Sequence, residues 1–85
     1  MISKKIFIEQ LKTALSEGFD YVAQDEDEVW YAFHGKPIYA NGIWRAYPFK
    51  NEAGRVKHLF TDRRIAPPES TLAIITDKIK EYEQI

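Results

Sequence analysis

Two histidines, three serines and a run of four acids are the side chains here with the chemistry for catalysis or metal binding, and their spacing supports neither. His34 and His58 lie far apart, with no HxH or HxxxH arrangement to put two imidazoles on one metal. Ser3, Ser16 and Ser70 lack the glycine context of a nucleophile elbow. The glycines at 18, 35, 42 and 54 fall singly at predicted turns, so they build no phosphate-cradling loop. Asp25, Glu26, Asp27 and Glu28 miss the alternating acids, the glycine and the closing glutamate of a calcium loop. A solvated hairpin turn accounts for them. The alternative is a negative strip, completed by Asp20, that meets a basic protein as DNA-mimicking inhibitors do. There is no cysteine, which removes disulfides, thiolate nucleophiles and cysteine-based zinc sites together. These residues predict a protein that is not an enzyme and holds no cofactor and no metal.

What remains is recognition. Of two tryptophans, five tyrosines and five phenylalanines, all but Phe7 and Tyr82 fall between residues 19 and 60. A net charge of −1 conceals segregation along the chain. Residues 18–28 carry only acids, whereas Lys36, Arg45, Lys50, Arg55, Lys57, Arg63 and Arg64 outnumber Glu52 and Asp62 over residues 29–66. These bases interleave with Trp44, Tyr47 and Phe49, the combination of cations and stacking surfaces that binds single-stranded nucleic acid. The signature of RNA-recognition domains is absent and the whole chain is slightly acidic, so nucleic acid stands as the rival reading. The same polarity can orient a protein partner, or be ordinary solvated surface.

Period and punctuation define the elements that carry these residues. Phe7, Ile8, Leu11, Ala14 and Leu15 form one apolar stripe, so residues 3–17 read as a helix, with Gly18 placed for a left-handed cap. Lys4 and Lys5 oppose the helix dipole and predict a frayed first turn. Residues 19–24 alternate with period two, and residues 29–34 do so with aromatics on both sides: Val29, Tyr31 and Phe33 one way, Trp30, Ala32 and His34 the other. Gly35-Lys36-Pro37 interrupts the pattern, residues 38–40 read as a short edge piece, and Asn41-Gly42 as a tight turn. Residues 43–47 make a third main strand closed by Pro48, residues 50–54 a loop, and residues 55–60 a fourth strand. Residues 61–66 are polar and irregular. Pro67-Pro68 forces an extended entry, after which Leu72, Ile75, Ile79 and Tyr82 trace a helical stripe to the end. Thr71, Ile74, Ile75 and Thr76 are β-branched, which keeps a strand through 70–76 open.

The predicted fold is therefore α+β, one domain over residues 1–85, with an antiparallel three- to four-stranded meander flanked by an N-terminal and a C-terminal helix. Eighty-five residues allow one core and little volume for a deep substrate pocket. No apolar signal region and no run near the roughly 20 residues of a membrane span is present, which predicts a cytoplasmic protein away from membranes.

The faces of that sheet give a functional expectation. With both helices on one side, the other side keeps aromatics that nothing in the chain covers. Trp30 and His34, beside Trp44 and Ala46 on a neighbouring strand, would form an apolar patch rimmed by Arg45, Arg55 and Lys57. The expected partner is a protein, a second copy of the chain included. A slip of one register step would replace the Trp30 set by Tyr31 and Phe33.

Gly18-Phe19-Asp20-Tyr21-Val22-Ala23, the acidic turn, Val29-Trp30, Lys36-Pro37, Gly42-Ile43-Trp44 and Leu59-Phe60 occur in that order. The pattern resembles small uncharacterised phage and prophage proteins of Gram-positive bacteria over residues 5–60. It departs at Glu28, where those proteins often have glycine, and in a longer C-terminal helix. The resemblance brings no catalytic residues. It implies an accessory protein, made in an infected or lysogenic cell, that binds host or phage proteins.

Overall fold

The computed structural model describes residues 3–46 and 54–84. Helix α1 spans Lys4–Ser16 and buries Phe7, Leu11 and Ala14, the spacing of one helical face. Ser3 caps it by accepting the Ile6 N–H at 3.2 Å, which holds the turn that the two lysines were expected to loosen. At the other end, Phe19 N–H donates to the Ala14 carbonyl and Gly18 N–H to that of Leu15, at 3.1 and 3.0 Å. With Gly18 at φ +96°, this is a Schellman cap, and it turns the chain directly into the sheet.

Four antiparallel strands make the main sheet in the order β5-β2-β1-β6: β1 is Tyr21–Gln24, β2 Val29–Phe33, β5 Val56–Thr61 and β6 Ala73–Ile74. The fold is α+β with a helix at each end, as the sequence predicts, but the strands sort differently. Strands β3 (Ile38–Ala40) and β4 (Ile43–Arg45) do not continue the meander; they pair only with each other. Their two-residue turn has Asn41 at φ +53° and Gly42 at φ +84°, the doubly positive geometry that matches strand twist. Tyr47, Pro48, Phe49 and Lys50, read as the end of a strand and the start of a loop, lie outside the described residues.

The segment left open between strand and helix is both in succession. After a single 3-10 turn at Pro68–Ser70, Ala73 and Ile74 pair with Val22 and Tyr21, and helix α2 then runs over Ile75–Glu83. The Ile75 N–H donates to the Asp20 carbonyl at 2.9 Å, which ties the helix start to the strand edge.

Both faces of the sheet are covered. On one, Val22, Trp30, Ala32 and Leu59 pack beneath Phe7, Leu11 and Ala14 of α1 and Ile75 and Ile79 of α2. The β2–β5 register shifts between Trp30 and Tyr31, leaving Leu59 unpaired; Leu59 and Phe60 both join this layer. On the other face, Ala23, Phe33, Tyr21 and Tyr31 pack against Tyr39, Trp44 and Ala46 of the β3–β4 hairpin. The lid expected from another molecule is thus supplied by the hairpin.

This corrects the shared aromatic patch. Trp30 and Trp44 lie on opposite sides of the sheet and are 6% and 9% exposed. Trp44 sits on a strand that does not neighbour β2, and Ala46 is buried with it. The helix-free side is the one with Tyr31 and Phe33, the alternative register. Period two divides an aromatic strand into faces but does not say which face meets the helices.

Candidate functional site

The six residues expected to form one surface are dispersed. His34 is half-buried on the helix side, its ring 4.3 Å from that of Phe19. His58 points to the opposite side and meets Tyr31 edge-on at 5.6 Å, so the sheet separates the two imidazoles. Lys57 is paired with Glu17 beyond the end of α1. Arg45 is exposed on the outer face of the hairpin, with Ile38 and Ile43, and Arg55 precedes β5, its carbonyl accepting the His34 N–H at 2.9 Å.

The acidic turn divides: Asp25 is a buried anchor, whereas Asp20, Glu26 and Asp27 are exposed. Asp25 is buried and its carboxylate accepts the Trp44 N–H at 2.8 Å, while the Glu26 N–H donates to the Gly42 carbonyl at 2.9 Å. Both bonds fasten the hairpin to the main sheet. Burial pushes the Asp25 carboxyl above its ordinary range, partly opposed by the Trp44 bond and reinforced by the Asp27 charge. Glu28 holds φ +73°, a left-handed backbone conformation, and its carboxylate accepts the Arg64 N–H at 2.8 Å.

The cavity with the most recognition chemistry lies between α2 and the 62–71 segment, a cleft of about 490 Å³. Its floor is aromatic: Phe7 touches Trp30 at 5.4 Å and Tyr82 at 4.6 Å between ring centroids. Above that floor hangs the Lys78 ammonium, 5.6 Å from the Trp30 ring and 5.3 Å from Tyr82, and 3.3 Å from the Glu81 carboxylate. Burial also pushes the Tyr82 phenol above its ordinary range, so it stays neutral. Arg63 and Ile65 stand on the rim, and Ile65 is 89% exposed.

The polar wall of the cleft is already satisfied. Gln24, fully buried, donates its amide hydrogens to the carbonyls of Glu28 and Asp62 at 3.1 and 2.7 Å. The Thr71 hydroxyl accepts the Gln24 N–H at 2.8 Å and donates to the Pro68 carbonyl at 2.6 Å. The Ser70 hydroxyl donates to its own turn, at the Pro67 carbonyl. No histidine lines the cleft, and its one serine has no base beside it. The arrangement suits contact by apolar surface and charge.

A second groove, lined by Lys4, Lys5, Ile8, Glu9 and Lys12 of α1 with Glu83 of α2, is broad and walled by charged stems; Lys12 pairs with Glu83 at 3.0 Å across it. Among the described residues no group of three or more metal-ligating side chains converges, and no helix is long and apolar enough to cross a membrane.

Of the six residues expected at the interface only Trp30 reaches the cleft; Arg63 of the basic stretch and Ser70 also line it. From sequence, Tyr82 belongs to the C-terminal helical stripe and Ile65 to the polar, irregular 61–66 stretch. The signal was present: one isoleucine between two arginines and two prolines has no periodic partner to bury it with. No protein-family model, no curated protein and no solved structure matches the chain.

Proposed function

We propose that this chain is a non-enzymatic protein-interaction module that seats an apolar side chain of its partner in the cleft over Phe7, Trp30 and Tyr82. The observation that carries the reading is Ile65, an almost wholly exposed isoleucine on the rim of an aromatic-floored cleft. Covering a side chain of that size is worth roughly 1.5–3 kcal/mol, which a partner would gain and the free protein forgoes. Rigid aromatics beneath an exposed aliphatic rim, with cations at the edge, make the composition of an interface centre rather than of a solvated surface. The resemblance to phage and prophage accessory proteins supports the same reading, and with it a place in the bacterial cytoplasm.

Of the three aromatics in the nucleic-acid reading, Tyr47 and Phe49 lie outside the described residues. Trp44 is buried, and its indole N–H donates to the Pro68 carbonyl at 3.1 Å. Of the bases, Lys57 is engaged by Glu17, and Arg64 donates to the Glu26 carbonyl.

The test is differential capture. Wild-type protein, Ile65→Asp and the hairpin control Ile43→Ser are used as baits in the same bacterial lysate, after thermal melts show all three folded. A protein held by wild type and Ile43→Ser and lost with Ile65→Asp supports the cleft. Retention by Ile65→Asp with loss on Ile43→Ser would move the interface to the hairpin and overturn it.

A further inference from the structure

The rim of the cleft carries a pattern of its own. Residues 62–66 belong to no helix or strand. Arg64 turns to the acidic turn, where Nη1 donates to the Glu26 carbonyl at 3.1 Å and the backbone N–H to the Glu28 carboxylate at 2.8 Å. Arg63 and Ile65 instead line the cleft together. Asp62 and Ala66 line it as well, so four of the five residues from 62 to 66 face the cleft. The Asp62 carboxylate accepts the Arg63 N–H at 2.9 Å and fixes the backbone from which this guanidinium projects.

We propose that the cleft selects a partner segment that presents an acidic residue close to a large apolar one. The carboxylate lies on Arg63 and the apolar side chain between Ile65 and the aromatic floor. The inference rests on the reading of the cleft as a protein-binding site and adds the chemistry of its occupant.

Charge sets the sign of the preference. Lys4, Arg63 and Lys78 line the cleft against Asp62 and Glu81, a surplus of one positive charge. Lys78 is spoken for by Glu81 and the two rings beneath it, and Lys4 and Asp62 each have interactions of their own. The exposed guanidinium of Arg63 is left as the cation facing the mouth. A guanidinium is weakly hydrated and matches a carboxylate with two parallel donors, so it gives up solvent for an acid more readily than an ammonium does.

Satisfaction of the polar wall narrows the occupant further. The Gln24 amide hydrogens and the Ser70 and Thr71 hydroxyl hydrogens are all donated inside the protein. A ligand would find no free hydrogen on these three side chains. An apolar side chain loses nothing by that, and the adjoining acid supplies the polar contact on the rim.

Three capped tripeptides test this: acetyl-Glu-Ser-Leu-amide, acetyl-Gln-Ser-Leu-amide and acetyl-Lys-Ser-Leu-amide. Each is titrated at low ionic strength into isotope-labelled protein while the amide resonances of Ile65, Lys78 and Tyr82 are followed. The glutamate peptide is expected to bind about five- to tenfold more tightly than the lysine peptide, the range for one partly screened charge contact. Arg63→Gln abolishes that difference, and Ile65→Ser weakens all three alike. Equal binding of the acidic and basic peptides, with shifts at Ile65 and Tyr82, overturns the acid preference and leaves the cleft reading standing. No shift at these residues with any peptide up to roughly 10 mM, beyond the weakest useful contact, overturns both.

Discussion

At the turn between the first two strands, a buried carboxylate and a backbone amide decide whether the hairpin stays on the sheet. The Trp44 N–H has Asp25 as its acceptor, and both are removed from water. Asp25→Ala would leave that donor unpaired and is expected to cost about 1–3 kcal/mol in urea melts at pH 7. Asp25→Asn keeps an acceptor oxygen and discards the charge. Since burial raises the folded pKa above the unfolded value, the native state holds the proton more tightly. The stability this group contributes is full below the unfolded pKa and is lost as pH rises through the folded one. Asp25→Asn should therefore be at least as stable as wild type at pH 7, and less stable relative to wild type near pH 3. If its stability difference from wild type does not change sign or size between those pH values, the carboxylate is solvated and the account is wrong.

Hairpin β3–β4 owes its shape to two residues and its position to two hydrogen bonds. Gly42 holds φ +84°, and a Cβ there would collide with the Glu26 side chain that sits over the turn. Gly42→Ala is expected to destabilise the protein by about 1–2 kcal/mol through the left-handed backbone, while the exposed Glu26 carboxylate end swings aside. Gly54→Ala is the comparison: it too is at positive φ, and a Cβ there meets nothing among the described residues, so its melt should shift no more. The Asn41-Gly42 turn, the α1 stripe and the Gly18 cap were legible from sequence because each is written within a few neighbouring residues. The sorting of strands was not. A hairpin with Tyr39 and Trp44 inward and Ile38 and Ile43 outward has apolar residues on both sides, so alternation gives no direction. Its docking depends on Asp25, nineteen positions away from Trp44, and the acidic turn carried no mark to distinguish a buried anchor from a solvated loop. The cleft was illegible for the same reason: Phe7, Trp30, Ile65 and Tyr82 come from four separate stretches of the chain.

Across the whole molecule, one four-stranded sheet serves two apolar layers, and strand β1 belongs to both. Val22 faces the helices and Ala23 the hairpin, each fully buried. A layer cannot loosen without disturbing the strand that supports the other, so the hairpin is expected to unfold with the helices. The two tryptophans report on this separately, since Trp30 lies in the helical layer and Trp44 in the hairpin layer. In Trp44→Phe the remaining fluorescence follows the helical side; in Trp30→Phe it follows the hairpin. Each variant will have its own stability, so the comparison is made within a variant, between tryptophan fluorescence and far-ultraviolet circular dichroism in urea. Coincident midpoints in both variants are the expected result for a cooperative unit. A fluorescence transition at lower urea in Trp30→Phe, ahead of loss of helix, would make the hairpin an independently released strap and place the protein's softest contact at the Asp25–Trp44 bond.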